Sequence, residues 1–140
     1  MKQREDTNVH QNGGILNPRL IAAIVALGHG ESIVVSDAGL PVPVGVEVLD
    51  LSLVAGVPGF CQTLEAVVGS LQVETAIVAT ELTIGNPALD DQILRLVKPA
   101  ELAHVDHARL KSLVGSARLV VRTGETTPYA NVILVGGITF

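Results

Sequence analysis

The chain has 140 residues, a length that fits one domain with its own hydrophobic core. Hydrophobic residues make up 48% of it and charged residues 16%, a balance that excludes disorder for the bulk of the chain. The 9 Lys and Arg against 14 Asp and Glu give a net charge of −5, and aromatic residues make up only 2%. Such a chain repels phosphate backbones and has few rings on which bases could stack, so we expect no nucleic-acid partner.

The amino terminus is polar and mixed in charge. We expect a disordered lead-in over residues 1–13, followed by one domain over 14–140. The lead-in lacks the apolar stretch of a secretory signal, and the longest apolar run, 20–27, is far shorter than the about 20 residues that cross a bilayer. Cys61 is the only cysteine and has no partner for an internal disulfide. These features predict a cytoplasmic protein that does not associate with a membrane.

In the first half of the chain, Asn17-Pro18 is a typical helix start, and the helix it begins is expected to run to Gly28. Because this helix is apolar on all sides, we expect it to be buried on most faces, in part by another subunit. Short apolar runs then predict strands at 32–36 and 46–51. A helix over 60–70 follows.

The second half continues this alternation. We expect strands at 75–80, 101–105, 119–122 and 132–135. One helix is expected from Asn86-Pro87 to about Val97, and another from its cap Asp106 to near Gly115. Strands alternating with helices predict an α/β fold, a single layered domain with a parallel or mixed sheet flanked by helices, Rossmann-like. The pattern does not define the order of the strands.

Polar residues interrupt the apolar pattern first at His29 and Asp37. His29 lies between Gly28 and Gly30, where no neighbouring side chain shields it from a ligand. It could equally bind the last carbonyls of the preceding helix. Asp37 follows strand 32–36, and ligands of open α/β sheets collect at the carboxyl ends of strands. An ordinary turn aspartate is the alternative.

A second polar cluster surrounds the start of the helix after strand 101–105. His104 and His107 are three residues apart beside an acidic residue, which is one way to begin a metal site, but the spacing indicates no third or fourth ligand. We therefore expect no metal. Lys111 lies one helical turn after His107 on the same face. A solvated helix start explains the same residues.

The third polar stretch is R-T-G-E-T-T-P-Y-A-N at 122–131. In an extended segment Tyr129 and Asn131 point the same way, one with a hydroxyl on an aromatic wall and the other with an amide donor and acceptor. That pair suits a small polyhydroxylated ligand, and a surface loop explains it equally well. The sequence has no G-x-G-x-x-G, P-loop or G-x-S-x-G motif. Chemistry by His and Asp without a cofactor remains open.

These features together resemble the D-ribose pyranase family, the larger group that also contains the L-fucose mutarotases. The resemblance covers almost everything after residue 13. It rests on G-I-L-N near Gly14, L-G-H-G at 27–30, V-S-D-A-G-L-P-V-P at 35–43, D-L-S-L at 50–53, G-V-P-G-F at 56–60, E-L near Glu81 with Asn86 after it, R-T-G-E-T-T-P-Y-A-N at 122–131 and the terminal G-G-I-T-F.

The resemblance implies a role for each matching residue. His29 is the expected catalytic histidine, and Asp37 the carboxylate that holds sugar hydroxyls. His107 and Lys111 match the helix that adds further substrate contacts. Tyr129 and Asn131 match a pair that reaches the site of an adjacent subunit. His104 has no family role.

The resemblance also implies a reaction and a partner. The expected activity interconverts the pyranose and furanose forms of ribose, with His29 as general acid and base and with no cofactor. The expected assembly is a ring-shaped homo-oligomer, a decamer of two stacked pentamers. Two alternatives are a mutarotase for fucose or another monosaccharide, and a sugar-binding module without catalytic activity.

Overall fold

The computed structural model describes residues 14–138, so the lead-in expected over 1–13 lies outside the described residues. The described chain forms one mixed sheet with helices on both faces. Its elements, in chain order, are α1 (Pro18–Ala26), β1 (Ser32–Ser36), β2 (Val48–Asp50), α2 (Phe60–Val68), β3 (Val73–Ala79), α3 (Thr80–Gly85), α4 (Pro87–Val97), β4 (Glu101–Val105), α5 (His107–Val114), β5 (Leu119–Arg122) and β6 (Val132–Gly136).

Side-chain caps begin three of the helices where the sequence predicts them. The side chains of Asn17, Asn86 and Asp106 accept hydrogen bonds from the first-turn amides of α1, α4 and α5, at 3.0, 3.1 and 2.7 Å. Each cap satisfies an amide that has no partner within its own helix. The caps therefore define where these helices begin.

The sheet order is β2-β5-β1-β6-β3-β4. Strand β6 runs antiparallel to both of its neighbours, β1 and β3, while the other adjacent pairs are parallel. Five strands therefore end at one edge of the sheet, and β6 begins there. Segments that follow β1, β3, β4 and β5, and the segment that precedes β6, all meet at this edge.

Apolar side chains cover both faces of the sheet. In β1, Ile33 and Val35 point into a core with α1, α2 and α4, whereas Val34 points into a second core with α5. All five residues of β1 are buried, as expected for a strand covered on both faces. The α/β architecture predicted from the sequence is confirmed.

The structure differs from the predicted elements in a few places. Strand β2 has only three residues, and β3 begins at Val73, earlier than predicted. The short helix α3 was not predicted, because the apolar run before it extends the strand pattern to Thr80. Within one chain, α1 buries Leu20 and Ile24 but leaves Val25 79% exposed, so a single chain does not bury most faces of this helix. No helix of the described part of the chain is long and apolar enough to span a membrane.

At Gly124, the segment that joins β5 to β6 packs against the turn that precedes α2. Gly124 donates a backbone hydrogen bond to Pro58 and accepts one from Gly56, at 2.9 and 2.6 Å. A Cβ atom at Gly124 would lie only 2.5 Å from the carbonyl oxygen of Val57 and 2.6 Å from that of Val54. The two segments meet too closely for any side chain, so only glycine fits here.

The next residue, Glu125, fixes the start of α2. Its Oε1 accepts the backbone N–H of Phe60 at 2.9 Å, and its Oε2 accepts the hydroxyl of Thr127 at 2.7 Å. Hydrogen bonds to Glu125 hold its pKa below the ordinary value of a glutamate. The bond from the Thr127 hydroxyl contributes most, and the bond from the Phe60 amide contributes next. A carboxylate at a helix amino terminus is also favoured by the helix dipole.

We predict that Gly124→Ala lowers the free energy of unfolding by about 2 kcal/mol, because the added methyl group meets rigid backbone. Gly85→Ala is the control, because a Cβ atom there meets nothing within 4 Å and alanine favours helices. Urea denaturation of both variants measures the difference. Equal stability of the two variants would contradict the close contact at Gly124.

We predict that Glu125→Gln lowers the free energy of unfolding by about 1 kcal/mol at pH 7, since a neutral amide replaces a hydrogen-bonded carboxylate. A carboxyl group whose pKa is lowered by folding stabilises the folded state above its unfolded pKa. That stability is lost as the pH falls through the folded pKa. The difference between wild type and variant should therefore be constant near neutrality and shrink below about pH 4. Urea titrations across this range measure it, and a difference independent of pH would contradict the assignment.

Candidate active site

A cavity of about 460 Å³ opens at the edge where β1 ends and β6 begins. This volume lies within the range of small-molecule sites in proteins. The cavity is lined by the loop after β1, the first residue of α5 and the segment before β6. These lining residues are Asp37, Ala38, Gly39, Leu40, Pro41, His107, Glu125, Thr126, Tyr129 and Asn131.

Asp37 and Asn131 are joined on the wall of this cavity. The backbone N–H of Asp37 donates to Oδ1 of Asn131 at 2.8 Å, and Nδ2 of Asn131 donates to Oδ2 of Asp37 at 3.3 Å. Asn131 is buried, and the Gly39 amide donates to the second Asp37 oxygen at 3.0 Å. Each Asp37 oxygen keeps a further lone pair, so the carboxylate can still accept hydrogen bonds from hydroxyl groups.

His107 and Tyr129 form the aromatic part of the wall. Their ring centroids are 5.0 Å apart and the rings are nearly perpendicular, at 82°, which is a favourable edge-to-face arrangement. Tyr129 has a φ of 63°, in the left-handed region that non-glycine residues rarely adopt. The Tyr129 carbonyl accepts the amide of Asn131 at 2.8 Å, so this tight bend places both side chains at the cavity.

Hydrogen bonds tie the segment before β6 to the end of β1 and brace that segment internally. The buried hydroxyl of Thr123 donates to the Ser36 carbonyl at 2.7 Å and accepts the amide of Glu125 at 3.1 Å. The Glu125 carbonyl then accepts the amide of Ala38 at 2.8 Å. These bonds fix the loop that carries Asp37 against the loop that carries Tyr129.

Four of the six predicted site residues therefore meet at one cavity of one chain: Asp37, His107, Tyr129 and Asn131. The resemblance implied that Tyr129 and Asn131 reach the site of an adjacent subunit, whereas here both line the same cavity as Asp37 of their own chain. Lys111 is exposed on α5 and does not line the cavity.

His29 lies at the opposite edge of the sheet. It precedes β1, and the five residues of β1 alone span about 16 Å. Its Nε2 lies 3.0 Å from Oε1 of Glu74 at the start of β3, and 56% of the His29 side chain is exposed. One chain therefore does not bring His29 to the cavity that Asp37 lines.

The other candidates for chemistry lie outside the cavity. His104 pairs with Asp90 of α4, with Nε2 and Oδ1 3.1 Å apart. Across residues 14–138, no three His, Cys, Asp or Glu side chains converge as metal ligands would. Burial, with added repulsion from Glu125 and Glu65, raises the pKa of the Cys61 thiol, so this cysteine is a poor nucleophile.

The sequence did not single out every residue of the cavity. Leu40, Glu125 and Thr126 also line it. A signal for Glu125 existed, because it belongs to the polar stretch before β6. Its contact with Phe60, however, joins residues 65 positions apart and has no local pattern.

Comparison with known proteins finds relatives over nearly the whole chain. Residues 10–139 match the model of the RbsD / FucU transport protein family. The chain is 45% identical over 130 residues to the D-ribose pyranase of Laribacter hongkongensis, covering 93% of this chain and 99% of that protein. It is 48% identical over 130 residues to D-ribose pyranase 1 of Rubrobacter xylanophilus, with the same coverage.

One solved structure is similar in both fold and sequence. The structure of Bacillus subtilis RbsD complexed with D-ribose superposes with a TM-score of 0.88 at 41% identity, covering 90% of this chain and 96% of that one. A family match over nearly the whole described chain, with relatives above 40% identity, leaves one assignment: this chain belongs to the RbsD/FucU family.

Proposed function

We propose that this protein is a D-ribose pyranase, an isomerase that interconverts the pyranose and furanose forms of ribose. The observation that carries the proposal is the cavity in which the hydrogen-bonded pair Asp37–Asn131 lies beside the edge-to-face pair His107–Tyr129. Two relatives above 40% identity are D-ribose pyranases, and the similar Bacillus subtilis protein was solved with D-ribose. Both facts support ribose as the substrate.

The cavity walls suit a sugar in two ways. A sugar ring presents hydroxyl groups around its rim and apolar C–H groups on its faces. The Asp37 carboxylate and the free amide hydrogen of Asn131 bind hydroxyl groups, and the Tyr129 ring packs against a C–H face. His107, whose ring meets the Tyr129 ring edge to face, adds a ring nitrogen to these contacts. These contacts orient the sugar without a charge on the ligand.

The reaction requires two proton transfers. The ring oxygen gains a proton and the anomeric hydroxyl loses one, while the bond from C1 to the ring oxygen breaks and C1 becomes an aldehyde. Attack on C1 by the other hydroxyl reverses these steps and closes the second ring form. A histidine gives and takes protons near neutral pH, and we assign this role to His29. Lys111 is proposed as a peripheral substrate contact on α5.

His29 reaches a cavity only if a second copy supplies it. The cavity with Asp37 lies at one edge of the sheet and His29 at the other, so the two cannot meet within one chain. A second copy would also cover exposed apolar surface, because Leu53 and Val25 are 77% and 79% exposed in one chain. The proposed assembly is a ring-shaped decamer in which each site combines two chains.

The proposal places the enzyme in the cytoplasm, as a step of ribose catabolism. The single cysteine of the chain, Cys61, fits a reducing compartment. The family description names FucU beside RbsD. Activity on fucose should therefore be measured beside activity on ribose.

We predict that His29→Ala slows ring exchange of ribose at least about 100-fold, because a positioned acid–base group contributes that much or more. Magnetisation-transfer NMR of unlabelled ribose, fucose and galactose measures the exchange, and size-exclusion chromatography checks that the assembly persists. His104→Ala is the matched control, since His104 pairs with Asp90 away from the cavity. An active His29→Ala protein would reassign the chemistry, and faster exchange of fucose than of ribose would change the substrate.

We predict that two inactive variants restore each other when mixed. His29→Ala keeps an intact cavity and Asp37→Ala keeps an intact His29, so mixed assemblies contain some sites with both groups. Random assortment makes about a quarter of the interfaces complete, as expected for a ring of head-to-tail contacts. Co-refolding the two variants and measuring ribose exchange tests this. A mixture that forms joint assemblies and stays inactive would contradict a site shared between copies.

A further inference from the structure

The link between β4 and α5 places His107 at the cavity, and two residues of α3 form hydrogen bonds with residues 105 and 107. Thr80 Oγ1 donates to the carbonyl of Val105 at 3.1 Å. Glu81 Oε1 accepts the backbone N–H of His107 at 3.0 Å. Thr80 and Glu81 are consecutive, so the first turn of α3 binds residues 105–107 at two points. We call these two contacts the α3 clamp.

The start of α5 needs this support. The first amides of a helix have no partner within the helix. The Asp106 side chain accepts the amide of Arg109 at 2.7 Å, which leaves the amide of His107 to find another acceptor. Glu81 supplies that acceptor from a different element. Its position follows from the sheet, because β3 and β4 are parallel neighbours and both end at this edge.

Of the residues joined by the clamp, His107 is the one that lines the cavity. Thr80 and Glu81 do not line the cavity, whereas His107 does. The His107 ring then meets the Tyr129 ring edge to face at 5.0 Å. A shift of the His107 backbone would therefore move both aromatic groups of the wall.

We propose that Thr80 and Glu81 are positioning residues that set the affinity for the sugar by holding His107 at the cavity. This inference rests on the proposed function, in which His107 contacts ribose. It requires a hydrogen-bond acceptor at residue 81 and does not require a charge there. It also requires that the effect of residue 81 disappear when the His107 imidazole is absent.

A double-mutant cycle on the intact protein tests the clamp, with ribose affinity measured by calorimetry and with KM and kcat measured by NMR exchange. Glu81→Ala should weaken ribose binding and raise KM about 5-fold or more, with kcat changed less than about 2-fold. Glu81→Gln should bind within about 2-fold of wild type, because the amide oxygen accepts the same N–H. In a His107→Ala background, Glu81→Ala should cause no further loss.

Two further variants complete the test. Glu65→Ala removes an exposed carboxylate on α2 and should leave ribose affinity unchanged. Thr80→Val removes the hydroxyl at nearly constant shape and should weaken binding about 2-fold, which keeps the proposal testable if Glu81→Ala fails to fold.

Equal losses in Glu81→Gln and Glu81→Ala would overturn the acceptor role. An undiminished loss in the His107→Ala background would overturn the action through His107. Ribose binding without ring exchange in wild type would reject the proposed function while leaving this cycle interpretable.

Discussion

The hydrogen bonds between Asp37 and Asn131 join residues 94 positions apart, one after β1 and the other before β6. They exist because β6 enters the middle of the sheet antiparallel to β1, so its beginning lies beside the end of β1. The buried Asn131 amide and the backbone of Asp37 satisfy each other where water has little access. An unpaired polar group in that position would cost about 1–3 kcal/mol, so the pairing stabilises the edge and presents a carboxylate to the cavity.

The same topology separates the two parts of the proposed chemistry. The groups proposed to bind the sugar lie at the edge where five strands end, and His29 lies at the edge where β1 begins. Residues 14–138 form a single sheet with which to place both. In the proposed assembly, two copies bring opposite edges together and cover apolar side chains such as Val25 and Leu53, which are exposed in one chain. Assembly and activity then depend on the same surfaces.

Much of the fold and part of the site were predictable from local patterns. Runs such as 32–36 and 119–122 indicated buried strands, and the rule for the carboxyl ends of strands indicated Asp37. The order of the strands was not predictable, because it depends on contacts between distant segments. Helix α3 was missed since its six residues carry too little periodicity. Glu81 and Glu125 act through side chain to backbone contacts across 26 and 65 positions, which leave no local trace.

A crystal structure of the assembled protein with ribose would show whether Asp37 of one copy and His29 of another form one site. A site shared between two copies predicts that the sugar lies in the cavity, with its hydroxyl groups on the Asp37 carboxylate. It also predicts that an imidazole of His29 from a second copy lies within hydrogen-bond distance of the ring oxygen or the anomeric hydroxyl. Ribose bound away from Asp37, or in the cavity with no His29 near it, would contradict the account.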